Sequence, residues 1–159
     1  LCKRPDLCAE VMDTAVRRLG VDAAIIFSDL LPILEPMGMQ LEFTAGDGPQ
    51  IHNPIRQPAD IDRVHALTSM DELQFVTETV RLTRAAIDRH IPVIGFAGAP
   101  FTLASYMIEG GGSKNYIHTK QLMFGDSVAF HTLMEKLVDS LIVYLNAQVD
   151  AGAQCLQIF

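Results

Sequence analysis

Recurring units of a short apolar strand followed by a helix constrain this chain more than any single residue does. Val21 to Phe27 is nearly continuous in apolar character, the pattern of a strand covered on both faces in a parallel sheet. Pro92 to Ala97 and Ala153 to Phe159 read as the next two strands. The spacing predicts a helix over Pro5 to Leu19, with Leu7, Val11, Ala15 and Val16 on one face and Gly20 as its stop. Pro58-Ala59-Asp60 opens a short helix, and Ser69 with Glu72 forms a capping box for a longer one reaching about His90. Helices near Phe101 to Glu109, Tyr116 to Phe124 and Val128 to Asp150 follow, the last ended by Gly152. Gly46-Asp47-Gly48-Pro49 is a turn signal for a hairpin or short excursion within Met39 to Asn53. Repeated βα units favour a parallel sheet, either a barrel or a doubly wound sheet, and periodicity does not separate the two. With no internal repeat, low-complexity tract or linker, residues 1–159 read as a single domain.

Composition narrows the function. A formal charge of −7 argues against nonspecific nucleic-acid binding, which needs basic patches that displace counterions from phosphate. Cys2, Cys8 and Cys155 are odd in number and lack CxxC spacing, so neither a disulfide frame nor a zinc ribbon is expected, and a reducing compartment fits. No apolar run approaches the roughly 18 to 20 residues of a membrane span. The five histidines, at 52, 65, 90, 118 and 131, show no metal-binding spacing, and no metal is expected.

Two stretches carry candidate chemistry. In Ile25-Ile26-Phe27-Ser28-Asp29-Leu30-Leu31 an apolar run ends in a carboxylate. Asp29 either caps the turn before Pro32 or, in a barrel, faces the mouth at the C-terminal ends of the strands, where catalytic groups stand. Gly95 to Lys114 leaves a strand at Gly98-Ala99-Pro100, enters a short helix and exits through Gly110-Gly111-Gly112. Backbone approaches ligands closely at such a break. The glycines do not match GxxxxGK[ST] and follow a helix, so a helix terminus or a flexible lid is preferred to a phosphate loop. Tyr106 on the short helix reads from spacing alone as a half-buried packing residue, and Ile25 and Phe159 read as ordinary core.

FSDLL followed by GFAGAPFTLASYMIEGGG, with an αβ frame between them, resembles the uroporphyrinogen decarboxylase family, and the likeness extends over essentially the whole chain. The resemblance implies an α/β fold of the TIM (β/α)8 type. Such a barrel typically needs roughly 250 residues, so 159 would make about half of it, with both ends cut. It implies a cofactor-free carboxy-lyase of heme and chlorophyll synthesis that converts four acetate side chains of a cyclic tetrapyrrole to methyls. Asp29 matches the family's essential aspartate, expected to be catalytic and to bind the central pyrrole N–H groups. Tyr106 matches its substrate-contacting tyrosine, and Ile25 and Phe159 become apolar walls of the tetrapyrrole cleft.

The family's substrate-binding arginines, a serine and a late histidine are expected outside these residues. The acidic chain lacks an obvious basic cluster for a polyacid substrate, which agrees with that expectation, and the piece alone should be inactive. The resemblance further implies a homodimer in the cytoplasm, or in a plastid if a transit peptide precedes Leu1. One rival is a cobamide-dependent methyltransferase, a group that shares the fold and part of the GAPFTLA signature and binds zinc through a C-terminal His/Cys set. The other is a binding relative that has lost its chemistry.

Overall fold

The computed structural model describes residues 1–44, 46 and 48–159. Among these residues five helices and five strands follow in the order α1 (Pro5–Leu19), β1 (Ala24–Ile25), β2 (Leu41–Thr44), β3 (Gly48–Ile51), α2 (Gln74–Ala86), β4 (Val93–Ala97), α3 (Pro100–Glu109), α4 (Ile117–Gly125), α5 (Ser127–Asp150) and β5 (Cys155–Ile158). Backbone contacts group them into two units, one of residues 1–30, 69–97 and 142–159, the other of residues 31–68 and 98–141.

In the first unit three parallel strands lie in the order β1-β4-β5, so strands successive in this sheet are also neighbours in it. Helical crossovers between parallel neighbours are the βα frame expected from the apolar runs. α1 ends as the sequence predicts, Gly20 taking the left-handed conformation at φ 63° and donating its N–H to the Val16 carbonyl. Its buried face is different, however. Cys8, Ala9 and Met12 are buried, with α1 packed on α2, while Leu7 and Val11 are exposed. The face a helix buries is set by the element it packs on, and the periodicity of large apolar residues does not register that partner.

β1 is also shorter than the apolar run. Its ladder to β4 includes Ala24 N–H to Pro92 O and Ile26 N–H to Ile94 O, after which the chain leaves the sheet at Phe27. α2 starts and stops inside its expected limits. Ser69 makes no capping box with Glu72, because its hydroxyl bonds the Asp71 carboxylate and a 3₁₀ turn over Asp71–Leu73 precedes the helix. Such a box occurs instead between Gln57 and Asp60, on the 3₁₀ turn Pro58–Arg63. At its other end Asp88 turns the chain, its carboxylate accepting from His90 N–H and its carbonyl from Ile91 N–H. The Arg84 guanidinium then donates to the carbonyls of Ile87, Asp88 and Ile91 and to Gln154 Oε1.

In the second unit β2 and β3 form an antiparallel hairpin from Leu41↔Ile51 to Thr44↔Gly48. Asp47 of the expected turn lies outside the described residues. The hairpin closes on the end of α3, where the last-turn carbonyls that a helix leaves open all find donors. Ile55 N–H bonds Met107 O, the Arg56 guanidinium bonds the carbonyls of Ile108 and Glu109, and Ile51 N–H bonds Gly110 O. Gly110 holds φ 85° and donates to Tyr106 O, and Gly111 bridges to Gln50. The first two glycines of the triplet are therefore a helix terminus and a hairpin contact.

Candidate functional site

A cavity of about 420 Å³ opens where β1 leaves the sheet. Asp29, Ile25 and Phe159 all line it, joined by Ser28 from the same segment and Phe96 from β4. Parallel strands place their C-terminal ends side by side, so the departure of the chain after Ile26 brings Phe27, Ser28 and Asp29 to the same end as Phe96 and Phe159. Phe159 N–H bonds Ala97 O, and its ring meets the Phe96 ring edge-on at 5.8 Å between centroids.

Ile25 and Phe159 are not core residues, as their composition alone suggested. They are 39% and 52% exposed. Alternation explains Ile25, since its neighbours Ala24 and Ile26 take the buried face of a strand whose side chains point to opposite sides. Their exposure puts apolar surface on the cavity wall beside a half-buried carboxylate.

Three further groups were not singled out by the sequence reading. Ser28 Oγ, next to Asp29 on the cavity lining, is a buried side-chain atom without a hydrogen-bond partner. Such an atom is costly unless something fills its capacity. Tyr144 on α5 is buried within electrostatic range of Asp29. Burial pushes its phenol well above the usual range and the Asp29 charge pushes it further, so the hydroxyl keeps its proton. One turn on, Gln148 is fully buried and binds the backbone of Phe96 through both ends of its amide. A glutamine at a buried register of a largely apolar helix stripe was the available signal.

Tyr106 belongs to the second unit, half-buried on α3. The helix starts at Pro100, where the Leu103 N–H bonds the Ala99 carbonyl. Nearby, Glu109 accepts from both the N–H and the hydroxyl of Thr119, at 2.8 and 2.9 Å. The carboxylate at the end of α3 thus caps α4, whose own N-cap residue, Tyr116, supplies no side-chain bond. Burial works to raise the Glu109 pKa, but the two Thr119 bonds, with the charges of His118 and Arg56, outweigh it and hold the carboxyl below its usual range. Among the described residues no three His, Cys, Asp or Glu side chains stand together as a metal site. Nor, among those residues, is any helix long and apolar enough to cross a membrane.

The family model described as uroporphyrinogen decarboxylase matches residues 1–159. The chain belongs to the uroporphyrinogen decarboxylase family. It is 56% identical to the uroporphyrinogen decarboxylase of Myxococcus xanthus, the match covering 100% of this chain and 45% of that protein. Identity to the enzyme of the same name from Desulfotalea psychrophila is 50%, over 100% of this chain and 46% of the relative. For the one from Carboxydothermus hydrogenoformans it is 48%, over 100% and 45%. The chain therefore spans just under half the length of these curated relatives. A solved methyltransferase from Methanosarcina mazei superposes with a TM-score of 0.79 at 20% identity, covering 98% of this chain and 45% of that one. That likeness concerns the fold. The βα frame of this decarboxylase-family chain is an incomplete (β/α)8 barrel, which resolves the choice that periodicity left open.

Proposed function

We propose that the full-length protein is a uroporphyrinogen decarboxylase, with Asp29 as the group that anchors the macrocycle. The observation that carries this reading is the cavity at the strand ends, where Asp29 stands among Ile25, Phe96 and Phe159 in a chain 56% identical to a decarboxylase. Apolar walls suit the faces of a tetrapyrrole, and a carboxylate among them suits its inward-pointing N–H groups.

The reaction needs a place for two electrons. A proton added to a pyrrole carbon makes the ring cationic. As the acetate C–C bond breaks, its electron pair forms an exocyclic double bond into that ring and carbon dioxide departs. Protonation of the exocyclic carbon then gives the methyl group, and loss of the ring proton restores the pyrrole. The net change per side chain is uptake of one proton and release of one carbon dioxide. A carboxylate fixed before the reaction, accepting from pyrrole N–H groups, both orients the ring and stabilises the positive charge as it grows. No redox or group-carrying cofactor enters this balance.

Ser28 Oγ, buried and without a partner beside Asp29, is a further donor or acceptor for the bound ring. Tyr106 is assigned to binding, its phenol donating to a substrate carboxylate. Residues 1–159 are read as part of one barrel domain, supported by a family match that runs unbroken through both units. A cytoplasmic homodimer is the assembly the family likeness favours, and sedimentation of the full-length protein tests it.

The deciding experiment measures coproporphyrinogen formation from uroporphyrinogen under metal-free conditions, comparing wild type with Asp29→Ala and Asp29→Glu. Loss of product in a folded Asp29→Ala protein supports the anchor role. A wild type that is inactive here, and transfers methyl groups only with zinc and a cobamide, overturns the reading.

A further inference from the structure

We propose that Gln148 is a positioning residue for Asp29, because its carboxamide occupies the rung of the sheet that β1 would otherwise fill. In a parallel ladder the backbone groups of alternate residues point to alternate sides. Along β4, Val93 and Ala97 accept on the β5 side, from the N–H groups of Gln154 and Phe159 that flank β5, while Ile94 and the preceding Pro92 accept on the β1 side, from Ile26 and Ala24 N–H. Phe96 is next in the series facing β1. Its partners on a continuing strand would be the Ile26 carbonyl and the Ser28 N–H.

The strand does not continue. Gln148 Oε1 accepts from Phe96 N–H at 2.9 Å, and Gln148 Nε2 donates to Phe96 O at 2.9 Å. A carboxamide carries one acceptor and donors in the arrangement of a peptide group, so it substitutes for a strand residue without a chain attached. With that rung taken, the segment from Phe27 to Asp29 has no place in the ladder and turns out to line the cavity.

Gly95 is a second, independent sign of this arrangement. Its φ is ordinary, but a Cβ there would stand 2.5 Å from Gln148 Oε1 and 3.1 Å from Leu156 Cδ2. Space at residue 95 is what admits the carboxamide. Gln148 itself is fully buried, and both ends of its amide are engaged. Any replacement that cannot offer both a donor and an acceptor leaves Phe96 open to β1. The ladder then extends through Ser28 and draws Asp29 out of place.

This inference rests on the decarboxylase reading for its activity readout, so the test carries a second readout that needs no substrate. In the full-length protein, Gln148→Met and Gly95→Ala are compared with wild type by decarboxylation kinetics and by backbone NMR shifts over residues 27–29. The expected result is a kcat lower by about 10- to 100-fold, as misplacement of a reacting group produces. KM rises as well, because Asp29 also anchors the macrocycle, and the shifts over Phe27, Ser28 and Asp29 move. Gln148→Glu supplies the rescue. Its protonated carboxyl again offers one donor and one acceptor to Phe96, so its kcat relative to wild type rises as pH falls.

Folded Gln148→Met with wild-type kcat and wild-type shifts at residues 27–29 overturns the proposal. Should that variant not fold, a Gln148→Glu-to-wild-type ratio that stays flat across pH overturns it instead. If wild type does not decarboxylate uroporphyrinogen, the functional reading fails while the backbone shifts still decide the role of Gln148.

Discussion

Removing the Glu109 carboxylate should loosen the start of α4 and expose a defined energetic hierarchy. One oxygen, Oε1, accepts both Thr119 bonds, and Thr119 is fully buried, so water cannot replace the lost acceptor in Glu109→Ala. An orphaned buried donor costs about 1–3 kcal/mol. The Thr119 hydroxyl can rotate toward another acceptor, whereas the N–H cannot, which puts the net cost near 2 kcal/mol, within the roughly 0.5–2 kcal/mol range measured for lost helix caps. Glu109→Gln keeps one oxygen in place and loses only the charge. Because Glu109 is part-exposed and its charge is screened, that loss is about 0.5 kcal/mol.

The pH dependence has a definite sign. The folded-state pKa of Glu109 is depressed, so its contribution is present above the unfolded value of about 4.3 and fades as pH falls through the lower folded value. Glu109→Gln removes this acid-side slope. Amide hydrogen exchange over residues 117–121, read at neutral pH and again near pH 4, measures the opening of α4 directly. Equal protection in wild type and Glu109→Ala would refute the reasoning. So would a Glu109→Gln loss as large as that of Glu109→Ala, since the oxygen geometry would then be irrelevant.

Other consequences are open to equally direct checks. Arg84→Lys replaces a planar fork that meets three carbonyls and Gln154 with a single ammonium, and should lower stability by about 1–3 kcal/mol in denaturant titration. Arg56→Ala strips the carbonyls of Ile108 and Glu109 of their donor at an exposed site, with an expected loss of about 1 kcal/mol and faster exchange at the end of α3. Tyr106→Phe deletes a bond to a substrate carboxylate under the proposed function, so KM for uroporphyrinogen should rise roughly 10-fold with kcat nearly unchanged.

What could be read from the sequence was local. Gly20 and Gly110 mark helix ends by their left-handed geometry, Pro100 starts α3, and α5 runs within a residue of its expected span. The FSDLL stretch was legible as a strand end bearing a carboxylate, and the structure brings Asp29, Ile25 and Phe159 to one cavity. Two of the failures were set by distant residues and one by a local turn. β1 stops early where Gln148, more than a hundred positions later, takes the next rung of β4. α2 ends at Ala86 where Asp88 turns the chain and Arg84 gathers the free carbonyls. Burial on α1 falls on Cys8, Ala9 and Met12 where α2, from a later part of the chain, packs on the helix, and leaves Leu7 and Val11 exposed.

The placement of Asp29 against the substrate is the center of the account, and a crystal structure of the full-length protein with coproporphyrinogen bound tests it most directly. Pyrrole nitrogens within about 3 Å of the Asp29 carboxylate, with the ring against Ile25, Phe96 and Phe159, are predicted. A macrocycle bound elsewhere, or seated there with its nitrogens turned away from Asp29, would contradict it.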